Sequence, residues 1–470
     1  MEKRRGKNTR GRPTSAAVAS IAVITGFAIA AAAWNSGAFA ASKSESALGA
    51  ARSEAAGKCM TCHKEKSPGL YNQWHASAHA THDVTCLKCH GADKSDPDAY
   101  LHYDAYIATL VTPKDCGVCH AKEASEVDNS YHATAGLILE SQDAYLAHVA
   151  AGEPAAIAGC ESCHGGKVKI DPASPNKLSR KSWPNSGIGR LNPDGSKGSC
   201  NACHTRHSFS KAQARQPEAC SKCHLGPDHP QREVYEESKH GNAYYTHLNE
   251  MNLDDDAWVV GIDYFEAPTC ATCHMSATPS MSRTHDVGAR ISWTLRPPVS
   301  EKKENWVEKR KAMKQVCVNC HGGAFADGHY YQYDAVVRLY NDRFARPATE
   351  LMSLIRKKKL LENPASFGND IEWIYWELWH HEGRRARHGA SMMGPDYTWW
   401  HGMYEVAKHF YFELLPEARK LNDPDVDAWI DKLLTEDPMH SWLSKETEAL
   451  KGDIRSGRMQ AIYEKLFAEK

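Results

Sequence analysis

The arrangement of the cysteines constrains this 470-residue chain more than anything else in it. All sixteen fall into eight pairs: Cys59 and Cys62, Cys86 and Cys89, Cys116 and Cys119, Cys160 and Cys163, Cys200 and Cys203, Cys220 and Cys223, Cys270 and Cys273, Cys317 and Cys320. A histidine follows each pair at once: His63, His90, His120, His164, His204, His224, His274 and His321. Cys-x-x-Cys-His is a covalent stencil, in which the two thiols add to the vinyl groups of a haem and the next residue turns its imidazole to the iron as fifth ligand. Zinc knuckles, disulfides and redox Cys-x-x-Cys sites use the same thiols but give no reason for a histidine after every pair. Eight complete motifs with no cysteine left over point to eight covalently attached c-type haems.

Residues 1–40 read as an export signal. Lys3, Arg4, Arg5, Lys7, Arg10 and Arg12 form a basic start, an apolar run follows from Ala16 to Ala33, and a small-residue cleavage site ends at Ala40. The haem-bearing part is therefore expected to be periplasmic, with cleavage before Ala41. The apolar run is long enough that a retained membrane anchor is the alternative. The whole chain has a formal charge of −1, and residues 1–40 hold six basic side chains and one acidic one, so the remainder carries −6. That charge does not indicate a nucleic-acid partner and suits a small redox protein with a basic face, such as a c-type cytochrome.

From residue 41 to 335 the chain offers a haem every few dozen residues, with Gly, Pro, Ser and Asp between motifs and only short apolar segments. Such a stretch must use the porphyrins as its apolar bulk, wrapped by short helices and loops. The segment between Cys163 and Cys200, rich in Pro and Gly, reads as a loop. From 336 to 470 no cysteine occurs and amphipathic patterns take over. Trp399, Met403, Val406, Phe410 and Leu414 recur at helical spacing, and Asp423-Pro424 is a helix start, so four to six helices are expected there. The fold class is mainly α, a haem-packed N-terminal region with a C-terminal helical domain.

Eighteen of the 26 histidines lie outside the motifs, and an electron-transferring haem needs one of them as its sixth ligand. Eight such ligands would make a pure wire, whereas seven would leave one iron open to a substrate. The candidates are His79, His102, His132, His207, His240, His285 and His388, with His75, His82 and His148 as rivals. In CSKCHLGPDHP, residues 220–230, a motif is followed closely by Asp228 and His229. An adjacent carboxylate and imidazole can relay protons near neutral pH, or the histidine can hold an iron.

The run CNACHTRHSFSKAQARQPEACSKCHLGPDHP, with SKHG, APTCATCHM and the final CVNCH, resembles the octahaem hydroxylamine oxidoreductase family in motif number, order and the close fifth and sixth motifs. The resemblance spans roughly residues 55–420. It implies a mostly helical homotrimer with seven bis-histidine haems and an open fourth haem, here that of Cys160, Cys163 and His164. It further implies that His207, His240 and His285 are distal ligands and that Asp228 and His229 lie over the open haem. In hydroxylamine-oxidising members a tyrosine of a neighbouring subunit bonds to the catalytic porphyrin in a Tyr-Thr-x-x-x-Gly context, which Tyr397 matches here; packing against Trp399 and Trp400 is the alternative. The long insert after Cys163 and the short segment before Tyr397 depart from the oxidising pattern. The resulting expectation is hydroxylamine oxidation, with nitrite or hydroxylamine reduction, and a non-enzymatic electron conduit, as alternatives.

Overall fold

The computed structural model describes residues 56–140 and 145–467, so the expected export signal at 1–40 lies outside the described residues. Among the described residues no helix is long and apolar enough to cross a membrane. Residues 52–470 group as one compact unit that is mainly helical.

Through the motif region the helices are short, and several are the motifs themselves: Cys86–His90, Cys160–His164 and Cys270–His274. One helical turn puts the first cysteine and the histidine at i and i+4 on the same face, as attachment to a single porphyrin requires. Local caps fix where these turns begin. Ahead of the third motif Thr112 accepts from the Lys114 amide at 3.2 Å, Asp115 accepts from the Thr112 amide at 2.8 Å, and Pro113 occupies the first helical position. Thr269 and Thr272 form the same reciprocal cap ahead of the seventh. The two-stranded sheet is a hairpin, Tyr100–His102 against Ala105–Ile107, with His102 opposite Ala105 at its turn end.

The insert between Cys163 and Cys200 is irregular but ordered around one buried guanidinium. Arg190 donates to Asn192 Oδ1 at 2.6 Å, to the Val111 carbonyl at 3.0 Å and to the Asn185 carbonyl at 3.3 Å. These bonds offset the cost of burying a charge and tie the insert to the third motif. The motif region also holds more apolar core of its own than its sequence promised: Trp258 stacks on Tyr264 at 4.4 Å, within a cluster that includes Tyr235, Tyr244, Met251, Val260 and Val316.

After the last motif the helical runs are 323–357, 370–391, 395–419, Pro424–Glu436, Thr447–Arg455 and Arg458–Phe467. The first crosses the expected boundary at 335/336 without a break. Their shared core includes Tyr340, Phe344, Leu351, Met352, Ile355, Phe410, Leu414 and Ile430. The helix at Pro424 starts as its sequence requires, with Asp423 accepting from the amides of Asp425 at 3.0 Å and Val426 at 3.2 Å. Met403, Val406, Phe410 and Leu414 are buried, but Trp399 is not in the stripe: it is 55% exposed, as is Trp400 at 57%. A π-turn over Trp399–Tyr404 adds a residue to that turn, which rotates Trp399 off the face that the later residues share.

Candidate functional site

All 26 histidines lie among the described residues. Six motif histidines face a second imidazole: His63 faces His102 with ring centroids 6.4 Å apart, His90 faces His207 at 6.2 Å, and His120 faces His79 at 6.3 Å. His204 faces His285 at 6.5 Å, His224 faces His132 at 6.1 Å, and His321 faces His240 at 6.0 Å. An imidazole nitrogen sits about 2.0 Å from a first-row metal and its ring centroid roughly 1.1 Å beyond, so two rings on opposite sides of one iron have centroids roughly 6 Å apart. Six independent pairs fall at that separation although their partners are up to 117 positions apart in sequence, as His90 and His207 are.

The rings are also in the right chemical state for ligation. Burial pushes the imidazoles of His79, His90, His132, His240 and His285 below their ordinary range, and those of His204, His207 and His224 down to about 4. A neutral ring is the form that binds a metal. At three motif histidines Nδ1 is engaged by a backbone carbonyl: His90 Nδ1 meets that of Ala108 at 2.9 Å, His274 Nδ1 that of Val287 at 3.3 Å, and His164 Nδ1 that of Ala135 at 3.4 Å. Such bonds fix the tautomer and aim Nε2 outward.

His164 and His274 face no second histidine ring at this separation. His388, the seventh expected ligand, is not brought opposite either of them. It lies on the helix Gly383–Ser391, 3.3 Å from Gln231 Nε2, and burial pushes its pKa down to about 3. The rivals are elsewhere: His75 stacks on Tyr71, His82 closes the helix Ala78–Thr81, and His148 sits in the turn Leu146–Ala151.

The fourth motif adjoins the sixth. Cys163 Sγ lies 3.9 Å from the Lys222 carbonyl and also touches the Cys223 thiol. His229 is anchored to the same stretch, its Nε2 2.9 Å from the Cys223 carbonyl, while its Nδ1 hydrogen-bonds the Asp228 carboxylate. Both ring nitrogens therefore point at acceptors, and only the doubly protonated imidazolium satisfies both. Burial would push the His229 pKa down, but the hydrogen bond and charge of Asp228 raise it above the ordinary value. His229 lies 6.2 Å from His224 as well, yet both of its nitrogens are committed to Asp228 and the Cys223 carbonyl.

Asp228 is gripped from the C-terminal helices. Arg384 Nη1 donates to Asp228 Oδ2 at 2.9 Å and His380 Nε2 lies 3.9 Å from the same oxygen. Burial would raise the Asp228 carboxyl, but His229, His380 and Arg384 overcome it and hold the group well below the usual carboxylate range. Sequence reasoning missed His380, Arg384 and Gln231. The signal for His380 and Arg384 was the run WHHEGRRARHG, residues 379–389, where charged and imidazole side chains interrupt an otherwise apolar helical face.

Tyr397 lies in the short helix Pro395–Thr398 beside the helix Gln231–Glu237 that follows the Asp-His pair; its amide donates to Glu237 Oε1 at 3.3 Å and its ring is 5.4 Å from that of His401. Trp399, Trp400 and Tyr404 beside it expose their rings.

A fold of short motif helices with facing imidazoles defines a multihaem cytochrome c, with covalently bound c-type haems. Comparison with known proteins agrees. Residues 193–346 match the family described as "Seven times multi-haem cytochrome CxxCH", and residues 25–91 match "Cytochrome c554 and c-prime". A probable nitrite reductase-hydroxylamine oxidoreductase fusion protein of Kuenenia stuttgartiensis is 25% identical over 464 residues, an alignment covering 73% of this chain and 49% of that protein. The chain thus spans about half the length of that curated relative. Among solved structures, one titled "Hypothetical multiheme protein" superposes with a TM-score of 0.68 at 25% identity, covering 80% of this chain and 96% of the other. A reducing HAO-like protein complex of Kuenenia stuttgartiensis shares the fold with a TM-score of 0.58 at 22% identity, covering 82% and 88%. The chain is thus similar to multihaem cytochromes c, among them relatives whose titles name hydroxylamine oxidoreductase (HAO) or an HAO-like protein.

Proposed function

We propose that this chain is an exported, periplasmic octahaem oxidoreductase acting on a small nitrogen compound at the haem of Cys160, Cys163 and His164. The observation that supports this is the Asp228–His229 pair held against the sixth motif where the fourth adjoins it, His164 being, with His274, one of the two motif histidines that no second imidazole faces. When bound, that haem supplies an iron open to a nitrogen ligand and able to exchange electrons with its neighbours. His229 presents a proton held between two acceptors, Asp228 fixes the ring, and Arg384 fixes Asp228. His388 is the proposed seventh distal ligand, and His388→Ala converting a low-spin haem to high spin would carry that assignment.

Hydroxylamine oxidation is the direction that the Tyr397 context supports, through a bond from Tyr397 to the fourth haem of a neighbouring subunit in a homotrimer. Such a bond would break the conjugation of the porphyrin and make the iron harder to reduce, so electrons would flow outward to a small redox protein. The second reading, nitrite or hydroxylamine reduction, is favoured by the doubly protonated His229, which is poised to give a proton, and by the titles of the two Kuenenia relatives. Hydroxylamine with an electron acceptor, assayed against nitrite with an electron donor, separates the two. Peptide mapping checks the mechanism, because Tyr397 joined to the Cys160–His164 haem peptide goes with oxidation and eight unmodified haems with reduction. A resting protein with no high-spin haem and no cyanide binding would make the chain an electron conduit and sink both.

A further inference from the structure

Beside Asp228 lies a second pair of imidazoles, His380 and His381, that belongs to none of the six facing pairs. His380 is 4% exposed and lies on the helical run 370–391. It stacks on Trp376 at 4.2 Å with an interplanar angle of 18° and meets Trp379 edge-on at 5.1 Å. Its Nε2 lies 3.9 Å from Asp228 Oδ2, beyond a direct hydrogen bond but within the reach of one bridging water. The next residue, His381, is only half-buried, packs edge-on against the same Trp376 at 4.6 Å, and has its ring 5.4 Å from that of His380. None of the six facing pairs includes either ring. The charged groups around them are Asp228 and Arg384 beside His380, and Glu382 and Arg385 beside His381.

Two adjacent histidines in a helix are a poor choice for a core: each carries two polar nitrogens that must be satisfied, and neither fills space better than leucine. Trp376 packs against both rings. From the surface inward the order is His381, His380, Asp228, His229; the imidazoles accept and release protons, and the ionised Asp228 carries one between them only in passing. Burial pushes the His381 pKa down to about 4, which keeps that ring neutral and free to accept at ordinary pH.

We propose that His381 and His380 form a proton relay joining solvent to the Asp228–His229 pair. The inference rests on the reading that this pair exchanges protons with a substrate at the fourth motif. Each passage moves one proton and no electrons. His381 takes a proton from water and passes one to His380, His380 passes one to Asp228 at Oδ2, and the pair regains the proton it has given up. Run backward, the same four groups discharge protons, so the relay serves an oxidative or a reductive reaction equally. His380 and His381 act through Asp228 and never touch substrate.

The test uses the haem-loaded protein with His380→Gln, His381→Gln and both together. Haem content and visible spectrum should match the native protein, because neither ring faces a motif histidine. Turnover should fall by about 10²-fold in the double variant, within the range for lost acid–base groups, and its solvent deuterium isotope effect should rise. Added imidazole should restore a His380→Ala variant, which a merely structural role would not allow. A readout that needs no substrate is infrared detection of deuterium uptake by the His229 ring, identified by its absence from His229→Gln: uptake should be slowed at least tenfold in the double variant. Native turnover and native exchange rate in the double variant would overturn the relay, as would a loss of activity that imidazole leaves untouched. A native protein that turns over neither hydroxylamine nor nitrite would sink the functional reading, while the exchange rate would still decide the relay.

Discussion

The stretch carrying the motifs and the helices after it solve the problem of a core in opposite ways. In the motif region, buried apolar residues form small separate groups, such as Leu110, Val168 and Leu178, or the aromatic cluster around Trp258 and Tyr264. The C-terminal helices share one continuous core in which Phe344, Leu351, Ile355, Phe410 and Leu414 are each 3% exposed or less. The first region is organised by what attaches to it and by caps and polar ties that set each short turn. The second is organised by its own side chains. The two are sewn together where the last motif meets the long helix. Arg310, ahead of the motif, makes two bonds to Asp334 at 2.6 and 2.7 Å, and Trp293 donates to the same carboxylate at 2.8 Å.

Removing a haem should break the comparison most visibly. With Cys220 and Cys223 both changed to Ala, the surroundings of the sixth motif lose the apolar body on which His224, His132 and the neighbouring fourth and seventh motifs depend. The intact mass should fall by one haem, and limited proteolysis should open the chain between about 130 and 275 while leaving the helices beyond 336 protected.

Truncating the C-terminal core should act on global stability instead. Phe410→Ala deletes a fully buried ring packed on Phe344 at 5.6 Å, and should cost about 3–5 kcal/mol in denaturant unfolding with the haem count unchanged.

The seam gives a smaller, pH-dependent effect. Burial would raise the Asp334 carboxyl, but Arg310 and Trp293 outweigh it and hold its pKa below the ordinary value. A depressed carboxylate contributes stability that is fully present above its unfolded pKa, about 3.9, and is lost as pH falls through the lower folded value. Asp334→Asn should therefore cost about 1.5–3 kcal/mol at neutral pH and flatten the acid limb of the stability profile. An unchanged acid limb would place the pH dependence elsewhere.

The smallest effect is local. Asp423→Ala removes the cap of the helix Pro424–Glu436 and should cost about 1 kcal/mol, read as a shift in thermal midpoint with no change in any haem spectrum.

The sequence by itself determined the covalent and the local. Cys-x-x-Cys-His fixes attachment and fifth ligand because all of its chemistry lies within five residues, and Thr112-Pro113 and Asp423-Pro424 fix helix starts because a cap acts over three. Six of the expected distal candidates, His79, His102, His132, His207, His240 and His285, each lie across from a motif histidine. Which motif each one faces was not legible, for His207 opposite His90 and His285 opposite His204 depend on how distant turns fold back. The tertiary structure alone decided that Trp399 faces outward, because a π-turn shifts the phase of the helix without marking the apolar pattern. It alone placed His388 against Gln231, and it alone brought Arg384 and His380 from the C-terminal helices to Asp228, some 150 residues away. A charge buried beside a partner far along the chain leaves no periodicity and no spacing rule in the sequence; only the packing that excludes water from both makes the contact.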